Sequence, residues 1–313
     1  MPGLSIIIPA GDDVSRFEDT LAAVLRNRPR ACEVIVPHAG TYADPYELAS
    51  EVWFIELPPG STYEQCLAHA AHKAAGEVLH VLSPGCEFEE NWWQPALTHF
   101  DDASIGSVAP FVSASRAAQP TGAIGVNYGI GGRREVSASD KLDARACRKL
   151  KILGPTHHAG FYRRTALKQI GGWPTTLSHT LADVDVALSL SQLGYRAVAE
   201  PESRICCPHA SRKASAYEMA RQREQLYWRH VAGMGLPLAL LVHPLVAVTE
   251  CITAGTPAGM FAALGGKMAS LADIQACRAF AVRLQGLKRL TVTDPPPTSS
   301  GHPTRREDRR RAA

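Results

Sequence analysis

The stretch Leu4-Ser5-Ile6-Ile7-Ile8-Pro9-Ala10-Gly11, continued by the amphipathic run Phe17 to Arg26 and by Glu33-Val34-Ile35-Val36, decides the fold class. A short apolar, β-branched run that stops at a proline reads as a buried strand, and the run of helical period after it reads as a helix. A second apolar run beyond that helix is what a parallel crossover requires. The pattern then repeats. Trp53-Phe54-Ile55-Glu56-Leu57 predicts a third strand, Tyr63 to Ala75 a helix with Ser61 or Thr62 as N-cap, and Glu77 to Leu82 a fourth strand. The expected fold is α/β: a mixed, mostly parallel sheet flanked by helices, with a helical extension at the C-terminus.

Length and composition fit that expectation. The chain has 313 residues, 45% hydrophobic and 20% charged, which excludes wholesale disorder and leaves room for one large domain or two modest ones. Its 33 basic and 30 acidic residues balance to +3, so no nucleic-acid partner is expected. The eight cysteines lack a Cys-x-x-Cys and stand apart except for Cys206-Cys207. They read as small buried hydrophobes in a reducing cytoplasm, and the opening residues are expected to start the domain without a leader.

In open α/β sheets ligands sit beyond the carboxyl ends of the strands. The turns Pro9-Ala10-Gly11, Pro37-His38-Ala39-Gly40 and Ser83-Pro84-Gly85 should therefore build the site. From Ser104 to about Lys151 the pattern loosens into short β-like pieces and glycine-rich turns, including Gly129-Ile130-Gly131-Gly132-Arg133-Arg134, and reads as a flexible loop over that site. Order returns at Gly160-Phe161, and a helix from Leu181 to Leu193 is stopped by Gly194, with a strand from Arg196 to Glu200 next. The expected divisions are residues 1–215, a helical and partly apolar extension over 216–292, and a basic, proline-rich, disordered tail over 293–313. Residues 236–264 are strongly apolar yet too interrupted to span a membrane. They form either a helical hairpin on a membrane surface or a cover over the core. The arginines of the tail serve solubility or touch anionic lipid.

The order of these features resembles the family 2 glycosyltransferases, whose domain is of the GT-A, Rossmann-like type. Leu4 to Ala10 looks like the family's opening strand and turn, and Thr20 to Leu25 like the helix after it. Ala68 to Glu77 is similar to the segment before the metal motif. Phe161-Tyr162-Arg163-Arg164 with Ile170-Gly171-Gly172-Trp173 resembles the acceptor-side signature, and Ala182-Asp183-Val184-Asp185 followed by Leu193-Gly194-Tyr195-Arg196 resembles the acidic motif. The likeness implies transfer of a sugar from a nucleotide-sugar donor to a glycan, lipid or small-molecule acceptor. It implies Asp183 as the general base and Pro9, Ala10, His38, Ser83 and Gly85 around the donor. Gly172, Trp173 and His158 would lie on the acceptor side. Asp185, two residues further along one helix, points to another face and forms a cap or an ion pair.

The departures bear on cofactors. Pro37-His38-Ala39-Gly40 stands where the family has nucleotide-binding aspartates, and Ser83-Pro84-Gly85 stands where it has Asp-x-Asp. A divalent Mn or Mg ion therefore lacks its usual carboxylates. Glu87, Glu89 or Glu90 swinging in, His209 completing a metal site, or diphosphate neutralisation by Arg163, Arg164, Arg133 or Arg134 are the replacements on offer. His69 and His72 have no third ligand, and no Gly-x-Gly-x-x-Gly, Walker A or Gly-x-Ser-x-Gly pattern occurs. Trp92-Trp93 and Tyr227-Trp228 read as core or interface residues. Two functional classes remain: an active transferase, or a pseudo-glycosyltransferase that binds or scaffolds a partner.

Overall fold

A computed structural model describes residues 3–40, 42–115, 122–139, 144–207, 215–233, 236–252 and 255–293. The tail from 294 onward and His209 lie outside the described residues.

The strands are β1 (Leu4–Ile7), β2 (Cys32–His38), β3 (Trp53–Glu56), β4 (Val78–Leu82), β5 (Glu87–Phe88), β6 (Ile105–Ser113), β7 (Gly122–Tyr128), β8 (Arg134–Ser139), β9 (Ala159–Arg163) and β10 (Arg196–Cys206). The helices are α1 (Val14–Asn27), α2 (Tyr63–Lys73), α3 (Trp93–Thr98), α4 (Ala144–Arg148), α5 (Arg164–Gln169), α6 (His179–Gln192), α7 (Ala216–His230), α8 (Leu236–Ile252), α9 (Pro257–Ala269) and α10 (Ile274–Thr293). One sheet runs β3-β2-β1-β4-β9-β6-β10-β5, with the hairpin β7–β8 attached to β6. Strands β1 to β4 are parallel and β6 pairs parallel with β10, while β9 runs antiparallel between β4 and β6.

Both faces of the sheet are covered, which is why β1 is buried throughout. Ile6 and Ile8 pack with Phe17, Leu21 and Val24 of α1 on one side, and Ile7 packs with Leu67 and Ala70 of α2 on the other. Thr62 caps α2 in a reciprocal box with Gln65, and Gly194 ends α6 in the left-handed region at φ +91°. In the sheet centre His80 is fully buried. Its Nδ1–H donates to the Gly160 carbonyl at 3.1 Å, its Nε2 accepts from Trp92 at 3.0 Å, and burial pushes its pKa down to about 3.

Two expectations need correction. The described residues between Ser104 and Lys151 are not a loop: Ile105–Ser113 is a fully buried nine-residue strand, and β7–β8 extends the sheet beside it. Gly106 and Pro110 hid the strand. The glycine is there because a Cβ would come within 2.7 Å of Tyr195. The cysteines are not all unlinked either. Cys86, after the turn that follows β4, is disulfide-bonded to Cys207 at the end of β10, so the cysteines no longer argue for a reducing compartment.

At the C-terminus α7 lies between α9 and α10, and α8 packs on α9. Among the described residues, no helix is long and apolar enough to cross a membrane.

Candidate functional site

The three turns do converge. The Ala10 N–H donates to the Pro37 carbonyl at 3.0 Å, and a Cβ on Gly11 would sit 3.7 Å from the Pro84 ring, so the ends of β1, β2 and β4 share one edge. Gly85 adopts φ +87°, and its N–H donates to Thr20 Oγ1 at 2.8 Å, locking the turn onto α1. The Ser83 N–H donates to the His158 carbonyl at 2.9 Å, and its hydroxyl donates to the His157 carbonyl at 3.2 Å. Pro9, Ala10, His38, Ser83, Gly85 and His158 thus belong to one neighbourhood. The buried His38 has an unpartnered Nδ1 at the end of β2.

Asp183, in the early part of α6, reaches this edge with no exposed surface. Its Oδ1 accepts from Arg134 Nε at 3.3 Å and from the Val184 N–H at 2.7 Å. Its Oδ2 accepts from Arg134 Nη2 at 2.6 Å and from the His157 N–H at 3.0 Å. Burial by itself would raise this carboxyl. His157 and the Arg134 guanidinium outweigh burial and hold Asp183 below the ordinary carboxylate range. The result is an ionised, dry carboxylate with both oxygens occupied. An incoming hydroxyl reaches it only when Arg134 withdraws, and Arg134 sits at the start of β8, just past a glycine turn.

Asp185 faces the other way, as the spacing along α6 requires. Arg229 grips it at 2.8 and 2.9 Å, and His230 Nε2 lies 2.8 Å from Oδ1. Arg229 also stacks on the Phe280 ring at 3.7 Å. Gly172, in the left-handed region at φ +91°, and Trp173 line a cavity of about 180 Å³ with Asp185, Ser189, Arg229 and Arg283. The structure therefore groups this part of the acceptor-side signature with Asp185, not with Asp183.

Arg163 and Arg164 are a clear correction. Arg163 pairs in register with Val78, at the start of β4, so it lies at the opposite edge of the sheet from Ser83. Its guanidinium donates to the carbonyls of Phe100, Ile105 and Asp102, each at 2.8 Å. The Arg164 N–H bonds the Glu77 carbonyl at that same edge. Antiparallel β9 carries residues 159 and 163 to opposite ends of β4, a reversal that local sequence does not reveal. Of the four arginines offered for the site, Arg134 is the one bound to Asp183, and Arg133 precedes it.

Among the described residues the donor set does not fit a divalent ion. Ser83-Pro84-Gly85 offers no carboxylate, and no group of three His, Cys, Asp or Glu side chains among the described residues could hold one. Glu87 and Glu89 are instead on and after β5, on its exposed side. His69 and His72 lie on α2, whose buried residues Leu67, Ala70 and Ala71 face the sheet. Sequence reading missed Arg229 and His230 as partners of Asp185. The buried acid at 185 was the only signal, because a fully buried carboxylate needs a partner from somewhere.

No protein-family model and no curated protein sequence matches the chain. Solved structures do. The mannosyltransferase PcManGT from Pyrobaculum calidifontis, in complex with GDP-Man and Mn2+, superposes with a TM-score of 0.51 at 16% identity, covering 93% of this chain and 86% of that one. GalNAc-T7 with UDP, GalNAc and Mn2+ superposes with a TM-score of 0.55 at 14% identity, covering 75% of this chain and 52% of that one. This chain thus spans about half the length of GalNAc-T7. At these identities the likeness establishes the fold, which is that of GT-A-type glycosyltransferases with a C-terminal helical region.

Proposed function

We propose that the protein transfers a sugar from a nucleotide-sugar donor to an acceptor hydroxyl, with Asp183 as the base, and that it stands with the family 2 enzymes on its sequence signatures. The observation that carries this reading is a buried carboxylate held ionised at the carboxyl edge of the sheet, beside Ser83 and the His157-His158 pair. In the step itself the acceptor oxygen bonds to the anomeric carbon and its proton passes to Asp183. The bond from that carbon to the donor phosphate breaks, and its electron pair leaves with the diphosphate. His38, with its unpartnered ring nitrogen, suits a nucleobase at the end of β2. Arg134, bound to Asp183, is the cation at hand to neutralise the leaving group, with Arg133 next to it along the turn. No step is assigned to a metal. The reading also places the protein at a membrane surface, supported by the exposed leucines of α8.

The occupied oxygens of Asp183 favour a second reading, a pseudo-glycosyltransferase that keeps the fold for binding. A thermal-shift panel of nucleoside diphosphates and nucleotide sugars, each with Mn²⁺, Mg²⁺ or chelator, separates the two. A ligand at 100 times its Kd raises stability by about 2.7 kcal/mol, a resolvable shift of a few degrees. A shift that persists in chelator supports the transferase with arginine neutralisation, and the matching Asp183→Asn variant should then lose at least ~100-fold in turnover. No shift with any ligand in folded protein selects the pseudoenzyme.

A further inference from the structure

Helix α8 carries Leu238, Leu241, Leu245, Val248 and Ile252 on one stripe of three- and four-residue steps, and every one of them is exposed, Leu241 by 72% and Leu245 by 68%. On α9, Phe261, Leu264 and Met268 repeat the spacing, with Phe261 exposed by 75%. Between the two helices runs an apolar groove of about 420 Å³. Side chains of this kind are costly to leave in water, and a contiguous patch of them marks a contact surface.

Three occupants compete for this surface. The chain's own tail is excluded by composition, because residues 294–313 contain no large apolar side chain. A second copy or another helix would form a seam whose flanking positions carry charges that set register and partner. Here those positions on α8 are Val242, Pro244, Thr249 and Cys251, none of them charged. The one acid of α8, Glu250, turns inward to Arg223 at 3.2 Å and to Lys267 at 3.0 Å. Lipid needs no flanking charge pattern.

The other side of the same two helices supplies the missing polarity. Val246 and Thr249 of α8 and Ala263 of α9 line a cavity of about 520 Å³ with Arg133, Arg134 and Arg223. Arg133 is exposed and makes no ion pair among the described residues. Lys267, whose ammonium bonds Glu250, lines the apolar groove, while Glu250 lines the arginine cavity, so the two spaces are one residue pair apart.

We propose that α8 and α9 lie in the interface of a bilayer containing anionic lipid, and that the phosphate of one lipid headgroup enters the cavity of Arg133, Arg134 and Arg223. The inference rests on the membrane-surface reading above and adds the lipid class and the headgroup site. It has a mechanical consequence. The turn before Arg133 is clamped to α8: His243 Nδ1–H donates to the Gly131 carbonyl at 2.9 Å, and a Cβ on Gly131 would come within 2.4 Å of Val246. A headgroup phosphate held by Arg133 and Arg223 draws on the turn that carries Arg134, and a shift of that turn frees Arg134 from Asp183 for the leaving diphosphate. Docking and access to the site are thereby one event.

Sedimentation of the full chain with sucrose-loaded vesicles tests this. The vesicles are phosphatidylcholine alone, or phosphatidylcholine with one quarter phosphatidic acid or phosphatidylglycerol. Binding should favour the anionic vesicles, and Arg133→Gln should weaken it about five-fold, the worth of one basic residue at an anionic surface. Leu241→Glu with Phe261→Glu should abolish it while leaving the thermal melt in place, since both side chains are already in water. Glycerol 3-phosphate at millimolar concentration should not displace the protein, because a free phosphate lacks the chain. Equal binding to neutral and anionic vesicles overturns the headgroup site but leaves the membrane reading standing. No binding to either, or binding that survives the double substitution and so belongs to the basic tail, overturns both. A dimer that is lost on Leu241→Glu, without vesicle binding, does the same.

Discussion

Asp183 and Asp185 stand two residues apart on one helix, and each is buried and gripped through both oxygens by an arginine. Their settings differ. Arg229 belongs to the fifteen-residue helix α7, is backed by Phe280, and shares its carboxylate with His230. Arg134 comes from the end of a glycine turn and lines a cavity of about 520 Å³, against about 180 Å³ beside Arg229, while the two side chains are nearly equally exposed, at 17% and 14%. The same ion pair therefore does two jobs. Where the cation comes from a packed helix the pair is a fixed joint. Where it comes from a hairpin over a cavity it is a contact that a ligand can take over.

The largest effect tests the joint. Removing one partner of a buried pair leaves an uncompensated charge and costs about 3–5 kcal/mol. Asp185→Ala should lower stability by that amount in chemical denaturation, because Arg229 and His230 both lose their anion. A loss below about 1 kcal/mol would mean that Arg229 relaxes into solvent as easily as Arg134 does, and the distinction would fall.

The next effect concerns pH. In the native protein both aspartates are held below their unfolded range, so the stability they contribute is complete above about pH 3.9 and is lost as pH falls below it. Arg134→Gln leaves Asp183 buried without a cation, and burial then raises its pKa above the unfolded value. The sign reverses. Stability of that variant should fall by about 2–3 kcal/mol as pH rises from 4 to 7, a loss of about 1.4 kcal/mol for each unit of raised pKa. Arg229→Gln should show a smaller reversal, since His230 stays within 2.8 Å of Asp185 whereas the His157 ring lies 3.7 Å from Asp183. Parallel stability curves for the two variants would erase the difference between the sites.

A third effect keeps the two aspartates apart from another buried group. His80 has no cation or carboxylate partner and is held neutral, at about 3 against an unfolded value near 6.5. On acidification the unfolded chain takes the proton first. Stability should therefore decline by about 1.4 kcal/mol per pH unit below pH 6.5, well before either aspartate responds. Thermal melts of His80→Gln should be flat from pH 6.5 to 4 and then rejoin the acid limb of the aspartates. An unchanged slope in that variant would assign the decline elsewhere.

Much of the parallel half was legible because its signals are local. Apolar runs that end at proline or glycine, a capping box at Thr62 and a glycine stop at 194 fix strands and helices from neighbouring residues alone. The site edge followed from the rule that strand ends bind ligands, and the divergence of Asp183 and Asp185 from the helical period. What failed was long-range. Arg163 sits next to Arg164 in a motif that reads as site lining, yet antiparallel β9 carries both to the far edge. Ile105–Ser113 looked loose because its glycine and proline answer to Tyr195 and to strand pairing, not to their sequence neighbours.

By itself, then, the sequence determined the α/β class, the edge at which the three turns of the candidate site converge, the different surroundings of Asp183 and Asp185, and an apolar helical pair near the C-terminus. Tertiary structure alone decided which arginine meets which aspartate, that Cys86 bonds Cys207 across 121 residues, and that a glycine turn, α8 and Asp183 are linked. The reason is physical. Periodicity and capping act over a few residues and leave their mark in the local pattern. A buried charge is satisfied by any cation that the fold brings within about 3 Å, whatever its distance along the chain.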